Sequence, residues 1–322
     1  MSNIVMKRRS LFPMAAAFGA ATSMGIRSAQ AAGYPSQTIN FIIPYGPGGG
    51  FDAYGRKFAE LMAGYYGNKV NVEPINMPGA AGREAIFNLS HDAPDGYNIS
   101  LANVPGLFLQ KSGGGLDLMK MSWVANLGRD SYGVAVSAKG PIKDVAGLQA
   151  LSAQRSVGFS STGAGSTDYF ATKVLAASLG LKINIVSGYK GSMSSAVAVA
   201  RGDVDVVVHS LTTLEKLQKS GLVRIIFVFQ EKSPLPGVED ATSINKPDLG
   251  KIFQWRPVVA PPGLSPELLT NLSTALVSIA KSPDADAWAK KIHTTLHPLG
   301  QDETLDMIKT QKALVDKWRA VI

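Results

Sequence analysis

With 322 residues, 45% of them apolar and 17% charged, the chain is long enough for two α/β domains and too apolar to be disordered. It has no cysteine, which excludes disulfides, thiolate metal sites and cysteine nucleophiles, and its four histidines show no paired metal-ligand spacing. The formal charge is +8 with no Lys/Arg cluster interleaved with aromatics, so nucleic acid is not an expected partner.

The N-terminus reads as an export signal. Lys7, Arg8 and Arg9 form a basic start, residues 11–26 are moderately apolar, and Ala29-Gln30-Ala31 is a small-x-small cleavage site. The apolar run is too short and too rich in Ala and Gly to span a membrane stably. Arg8-Arg9-Ser10-Leu11-Phe12 is similar to a twin-arginine signal. Residues 1–31 are therefore expected to be removed on export, leaving a mature chain in the periplasm. Lys7, Arg8, Arg9 and Arg27 would leave with no acid, which takes the formal charge to +4.

The rest of the chain is organised around its first βα unit. Ile39, Phe41, Ile42 and Ile43 read as a buried strand. The chain breaks at Pro44 and passes through Gly46-Pro47-Gly48-Gly49-Gly50 into a helix, with Asp52 placed as its N-cap. Glycines before a helix start leave N–H donors accessible at the positive end of the dipole. The loop is thus either a plain tight turn or a cradle for a small anion.

Residues 70–75 form the second strand, 76–82 a second glycine-containing turn, 83–89 a helix and 97–102 a third strand. This alternation predicts a parallel sheet flanked by helices, with any ligand beyond the carboxyl ends of its strands. After a Gly-rich loop at 111–115, segments 123–127 and 132–136 are strand-like, the second with the look of a crossover. A second βα series comes next: strand 156–160, a small-residue loop at 161–167, helix 168–179, strand 183–186, a turn at 188–191 and helix 192–200. An all-apolar strand at 204–208 has the pattern of burial on both faces. Helix 211–219 and strand 223–229 complete this half. Residues 257–266 are proline-rich, and helices over 266–280, 284–291 and 303–320, with a short strand at 294–297, make a tail that folds back over the first sheet. Residues 32–128 plus 251–322 are expected to form one lobe and 129–250 the other.

The motifs PYGPGGGFD, NMPGAAG, GFSSTGAGST, YKGS and RGDVDVV occur in that order. In this the chain resembles the periplasmic solute-binding proteins of tripartite tricarboxylate transporters, the Bug or TctC family, over its whole mature length. The resemblance implies an α/β, two-lobed Venus-flytrap fold, type II-like, each lobe a sheet flanked by helices. It implies a monomeric, non-enzymatic receptor without a cofactor. The partners it implies are a small organic acid in the interlobe cleft, the membrane subunits of the transporter and, for some members, a sensor kinase. The carboxylate is expected at the first glycine loop and the loop of residues 161–167. Several positions depart from the pattern: Met77 for Arg, Arg83 for Asn, Asp168 for His, His209-Ser210 for Asp-Asn, and Phe51 for a small residue.

The expected ligand-binding residues are therefore Tyr45, Gly48, Gly49, Gly50 and Phe51 from the first loop, with Ala80 and Ala81 from the second. Ser161, Thr162, Ser166 and Thr167 offer hydroxyls that either bind a carboxylate or cap a helix. Tyr189 is a candidate cleft-lining aromatic and Lys190 a solvated charge. His209 ends an apolar strand, either as a structural histidine or as a ligand contact that makes affinity vary between pH 5 and 8. Arg83 is either a surface cation or a partner for a second acid group. Tyr45, Phe51 and Tyr189 predict a ligand with one anchored carboxylate and a less polar body rather than a citrate-like one. The rival reading is an exported dinucleotide-binding oxidoreductase. Gly48 to Ala53 fits G-x-G-x-x-A, and Glu73 is placed at the end of the next strand as a ribose-binding acid. Pro47, which removes an N–H from the loop, and export itself both argue against it.

Overall fold

In the computed structural model of the chain, residues 33–109, 116–292 and 294–322 are described. The expected export signal, the 111–115 loop and His293 lie outside them. Ile39, Phe41 and Ile43 are fully buried in β1 (Ile39–Ile43), which pairs in parallel with β2 (Val72–Asn76) on one side and β3 (Asn98–Leu101) on the other. Packed on this sheet are α1 (Gly50–Tyr65), through Tyr54, Phe58 and Met62, and α7 (Pro266–Ala280), through Leu272 and Leu276. The short α2 (Arg83–Leu89) joins β2 to β3.

Two segments behave differently from their sequence patterns. The strand-like stretches at 123–127 and 132–136 are one continuous 16-residue strand, β4 (Ser122–Ser137). The start of the proline-rich segment belongs to another strand, β10 (Phe253–Ala260), which runs antiparallel to both β3 and β4. Burial explains this: Trp255 to Ala260 lie almost wholly inside, Val258 and Val259 pair with both β3 and β4, and a register shift against β4 between Trp255 and Pro257 accommodates the proline.

The first half of β4 pairs with β10 and with β11 (Leu296–Leu299). Its second half pairs antiparallel with β7 (Val206–Ser210) and β8 (Val223–Val228). Beyond β7 stand β5 (Val157–Ser161) and β6 (Ile183–Ser187), both parallel, and β9 (Glu239–Asp240) adds to β8. β4 therefore carries the chain from one half-sheet to the other, and the result is a two-lobed α/β fold. The second half is covered by α3 (Val145–Gln154), α4 (Thr167–Leu179), α5 (Ser192–Arg201) and α6 (Leu211–Lys219). The chain ends in α8 (Pro283–Ile292) and α9 (Gln301–Trp318). Among the described residues no helix is long and apolar enough to cross a membrane.

Candidate functional site

The turn after β1 enters α1 through Gly49, the N-cap, in extended backbone. Asp52 is not the cap expected from sequence but the third helical residue. Its carboxylate reaches back to accept the Gly48 N–H (3.0 Å), together with Arg56 Nε (2.9 Å) and Asn76 Nδ2 (2.9 Å). Burial pushes this carboxyl up, but those three donors outweigh it and hold its pKa below the ordinary value. The first helical bond runs from the Ala53 N–H to the Gly49 carbonyl (3.0 Å), so the N–H groups before Ala53 have no helical acceptor.

This helix start faces a buried cavity of about 20 Å³ where the two half-sheets join. Tyr45, Gly49, Gly50 and Phe51 form one side. Tyr132 from β4, with Gln254 and Arg256 from β10, forms the second. The third comes from His209 and Ser210 of β7, Asp168 of α4 and Ser192 of α5. The glycines are needed for this approach. A Cβ at Gly49 would lie 2.6 Å from Ser192 Oγ, and one at Gly50 would lie 2.5 Å from Arg256 Nη2.

Arg256 is fully buried. Its Nη2 donates to Asp130 Oδ2 on β4, and its guanidinium carbon lies 4.8 Å from the Phe51 ring centroid and 4.4 Å from that of Tyr54. Burial pulls its pKa down, but the charge and hydrogen bond of Asp130 keep it raised, so it is a cation throughout the physiological range. Asp130 also accepts from Ser210 Oγ (2.8 Å) and from Thr294 Oγ1, which engages its remaining oxygen.

Two of the departures from the family pattern meet in this cavity: His209 Nε2 stands 4.0 Å from Asp168 Oδ1. Desolvation pulls His209 below its ordinary pKa, with the charge of Asp168 opposing it only in part, so the imidazole is neutral at pH 7. Asp168 is itself held by the Thr162 N–H (2.9 Å) and Thr162 Oγ1 (2.6 Å).

A second polar network ties the loops together. Tyr45 Oη donates to the Ala81 carbonyl (2.8 Å) and accepts from Asn103 Nδ2. Asn103 Oδ1 accepts from Thr167 Oγ1 (2.6 Å) and Gln254 Nε2 (3.1 Å), and Gln254 Oε1 accepts from Tyr132 Oη (2.6 Å). Burial raises the pKa of Tyr45 and Tyr132 well above the ordinary value, so both phenols keep their protons. Tyr45 separates the inner cavity from an outer cleft of about 500 Å³ lined by Ala80, Ala81, Thr162, Tyr189 and Lys190. There Ala80, Ala81 and Gly82 all take left-handed backbone, and a Cβ at Gly163 would touch that of Ala81 at 3.2 Å.

The expected residues thus divide. Gly49, Gly50, Phe51 and His209 line the inner cavity, Ala80, Ala81, Thr162 and Tyr189 the outer cleft, and Tyr45 both. Gly48 faces a separate groove behind the loop. Ser161, Ser166 and Thr167 are buried with protein partners: Ser161 Oγ accepts the Gly163 N–H, Ser166 caps α4, and Thr167 holds Asn103. Arg83 opens α2 and is among the lining residues of neither cavity. Arg256, Asp130, Gln254, Asn103 and Tyr132 were not legible as site residues. For Asn103, Gln254 and Arg256 the one signal is an amide or charged side chain beside apolar neighbours, and Asp130 and Tyr132 carry none. The dinucleotide reading loses its acid. Glu73 is the second residue of β2, level with Asn40 near the start of β1, at the opposite end of the strands from the glycine loop.

Residues 55–322 match the family described as tripartite tricarboxylate transporter family receptor. Among curated proteins, the UPF0065 protein in the gbd 5' region of Cupriavidus necator is 25% identical over 334 residues, covering 97% of this chain and 98% of that protein. Among solved structures, the periplasmic binding protein BugD superposes with a TM-score of 0.82 at 19% identity, covering 89% of this chain and 99% of that one. R. palustris Rpa4515 with adipate superposes at 0.79 and 24% identity, covering 89% and 97%.

Proposed function

This chain belongs to the tripartite tricarboxylate transporter receptor family, and on that premise we propose that it is a periplasmic, non-enzymatic receptor that captures a small organic carboxylate between its lobes and delivers it to membrane transporter subunits. The family's receptors are periplasmic binding proteins, and one neighbour of the same fold carries the dicarboxylate adipate. The observation that carries the reading is the α1 start, whose first N–H groups lack helical acceptors and whose Gly49, Gly50 and Phe51 line a buried cavity at the junction of the half-sheets. In this reading an acid end enters the inner cavity when the lobes part, and a less polar body lies in the outer cleft beside Tyr45 and Tyr189. Residues 32–128 plus 251–322 make one lobe in this reading and 129–250 the other. Export through the N-terminal segment, with its twin-arginine pair, belongs to the same proposal.

A thermal-shift screen of mono-, di- and tricarboxylates and aromatic acids tests it. A ligand at 100 times its dissociation constant stabilises the folded state by about 2.7 kcal/mol, a clear rise in melting temperature. Failure of every acid to shift the melt, with a nucleotide cofactor found by native mass spectrometry, would reverse the choice between receptor and oxidoreductase.

A further inference from the structure

The ion pair with Asp130 occupies one nitrogen of Arg256. Nε and Nη1 of the same side chain, fully buried, have no hydrogen-bond partner among the described residues, although Arg256 lines the inner cavity. A guanidinium carries five N–H groups, and leaving charged donors unsatisfied away from water is costly. The faces of Phe51 and Tyr54 hold the plane of the group, and Asp130, saturated by Ser210 and Thr294, fixes its end. The rotamer is therefore set without the ligand, the condition for a preorganised contact.

We propose that Arg256 determines specificity at the acid end of the ligand: its unpaired N–H groups, beside the start of α1, bind one carboxylate in the inner cavity by direct charge, and the rest of the ligand extends past Tyr45 into the outer cleft. This rests on the receptor reading and adds to it. Backbone amides alone bind anions with modest selectivity, whereas a buried guanidinium separates a carboxylate from its neutral amide. Asp168 in the same cavity confines the negative group to the Arg256 side.

The test compares the wild-type chain with an Arg256→Met/Asp130→Asn double variant, which removes both charges together and so avoids stranding one of them. Adipate, malate, hexanoate and benzoate are titrated calorimetrically, and the tightest binder is compared with its carboxamide. The double variant is expected to lose roughly 10- to 100-fold in affinity for the acid, and most of its preference for acid over amide. Should the double variant not fold, Arg256→Lys keeps the pair with Asp130 but lacks the extra N–H groups, and a clear loss of acid preference is expected there too. Acid preference unchanged within about twofold in a folded variant overturns this inference and leaves the receptor reading standing. No binding of any acid by the wild-type chain overturns both.

Discussion

A Cβ at Gly50 would meet Arg256 Nη2 at 2.5 Å, Arg256 Cζ at 3.2 Å and Ser210 Oγ at 3.3 Å, all held in one buried network. A Cβ at Gly49 would meet only the Ser192 hydroxyl closely, at 2.6 Å, and that oxygen is held by a single hydrogen bond to the Thr213 hydroxyl (3.0 Å) rather than by a charged network. Gly50→Ala is therefore expected to cost about 1–3 kcal/mol in denaturant unfolding, Gly49→Ala less, and Ser192→Ala is expected to rescue Gly49→Ala alone. Equal losses at both glycines would remove the distinction. His209 supplies a pH signature. Burial holds its pKa below the ordinary 6.5, so as pH falls the unfolded chain takes up this proton first. Its contribution to stability is full above pH 6.5 and declines below it, by at most about 1.4 kcal/mol per pH unit. His297, also lowered by burial, acts with the same sign. His209→Gln should flatten the fall between pH 7 and pH 5 in denaturation midpoints, and parallel curves for variant and wild type would contradict this.

Among the elements, α1 depends on Asp52 for the shape of the loop before it. Asp52→Ala releases the Gly48 N–H, Arg56 and Asn76 together and is expected to cost about 1–3 kcal/mol at pH 7. Because the native carboxyl lies below its ordinary pKa, that stabilisation is present above the carboxylate range and vanishes as pH falls through it. Urea melts at pH 7 and pH 3 should therefore show a shrinking gap. β4 and β10 carry the opposite charges of one buried pair, Asp130 and Arg256. Asp130→Asn alone strands a buried cation and is expected to destabilise by about 3–5 kcal/mol, whereas the double variant with Arg256→Met lies closer to neutral. A double variant as unstable as the single one would show that packing, rather than charge, dominates there.

At the scale of the molecule, the inner cavity is too small to admit a ligand unless the lobes part about the β4 and β10 crossing. The Gly46 N–H bonds to the Lys190 carbonyl (2.9 Å), and a Cβ at Gly46 would lie 3.4 Å from that of Lys190, close to disulfide geometry. The chain has no cysteine of its own, so Gly46→Cys with Lys190→Cys places a single bridge across the cleft. Oxidation of this variant is expected to slow ligand association strongly in stopped-flow mixing, with full recovery on reduction. Association unaffected by the bridge would show that the ligand enters without lobe separation. The segmental order matters equally. β10 stands between β3 and β4, so a chain ending at residue 250 is expected to lose the first sheet, visible as collapse of far-UV circular dichroism and rapid proteolysis.

The local pattern of the chain settled most strands and helices, because burial on one or both faces leaves a period that reads directly from apolar positions. Arg83–Leu89, Leu211–Lys219 and Pro266–Ala280 are helices at the residues their patterns mark. That the glycine loop opens a helix was likewise visible, since its requirement is local backbone freedom. What only the tertiary structure decided is which polar groups meet. Asp130 and Arg256 are 126 residues apart and pair because β4 and β10 lie side by side, a fact of sheet order with no local period. Charge and proline inside WRPVV masked a buried strand that pairs along its length with β4 and through Val258 and Val259 with β3. The hydroxyls of Ser161, Ser166 and Thr167 show the same division. Composition marked them as donors near a ligand, and packing spent them on the Gly163 N–H, the α4 cap and Asn103. A donor's partner is fixed by distance in space, and distance in space between remote segments is what sequence alone does not carry.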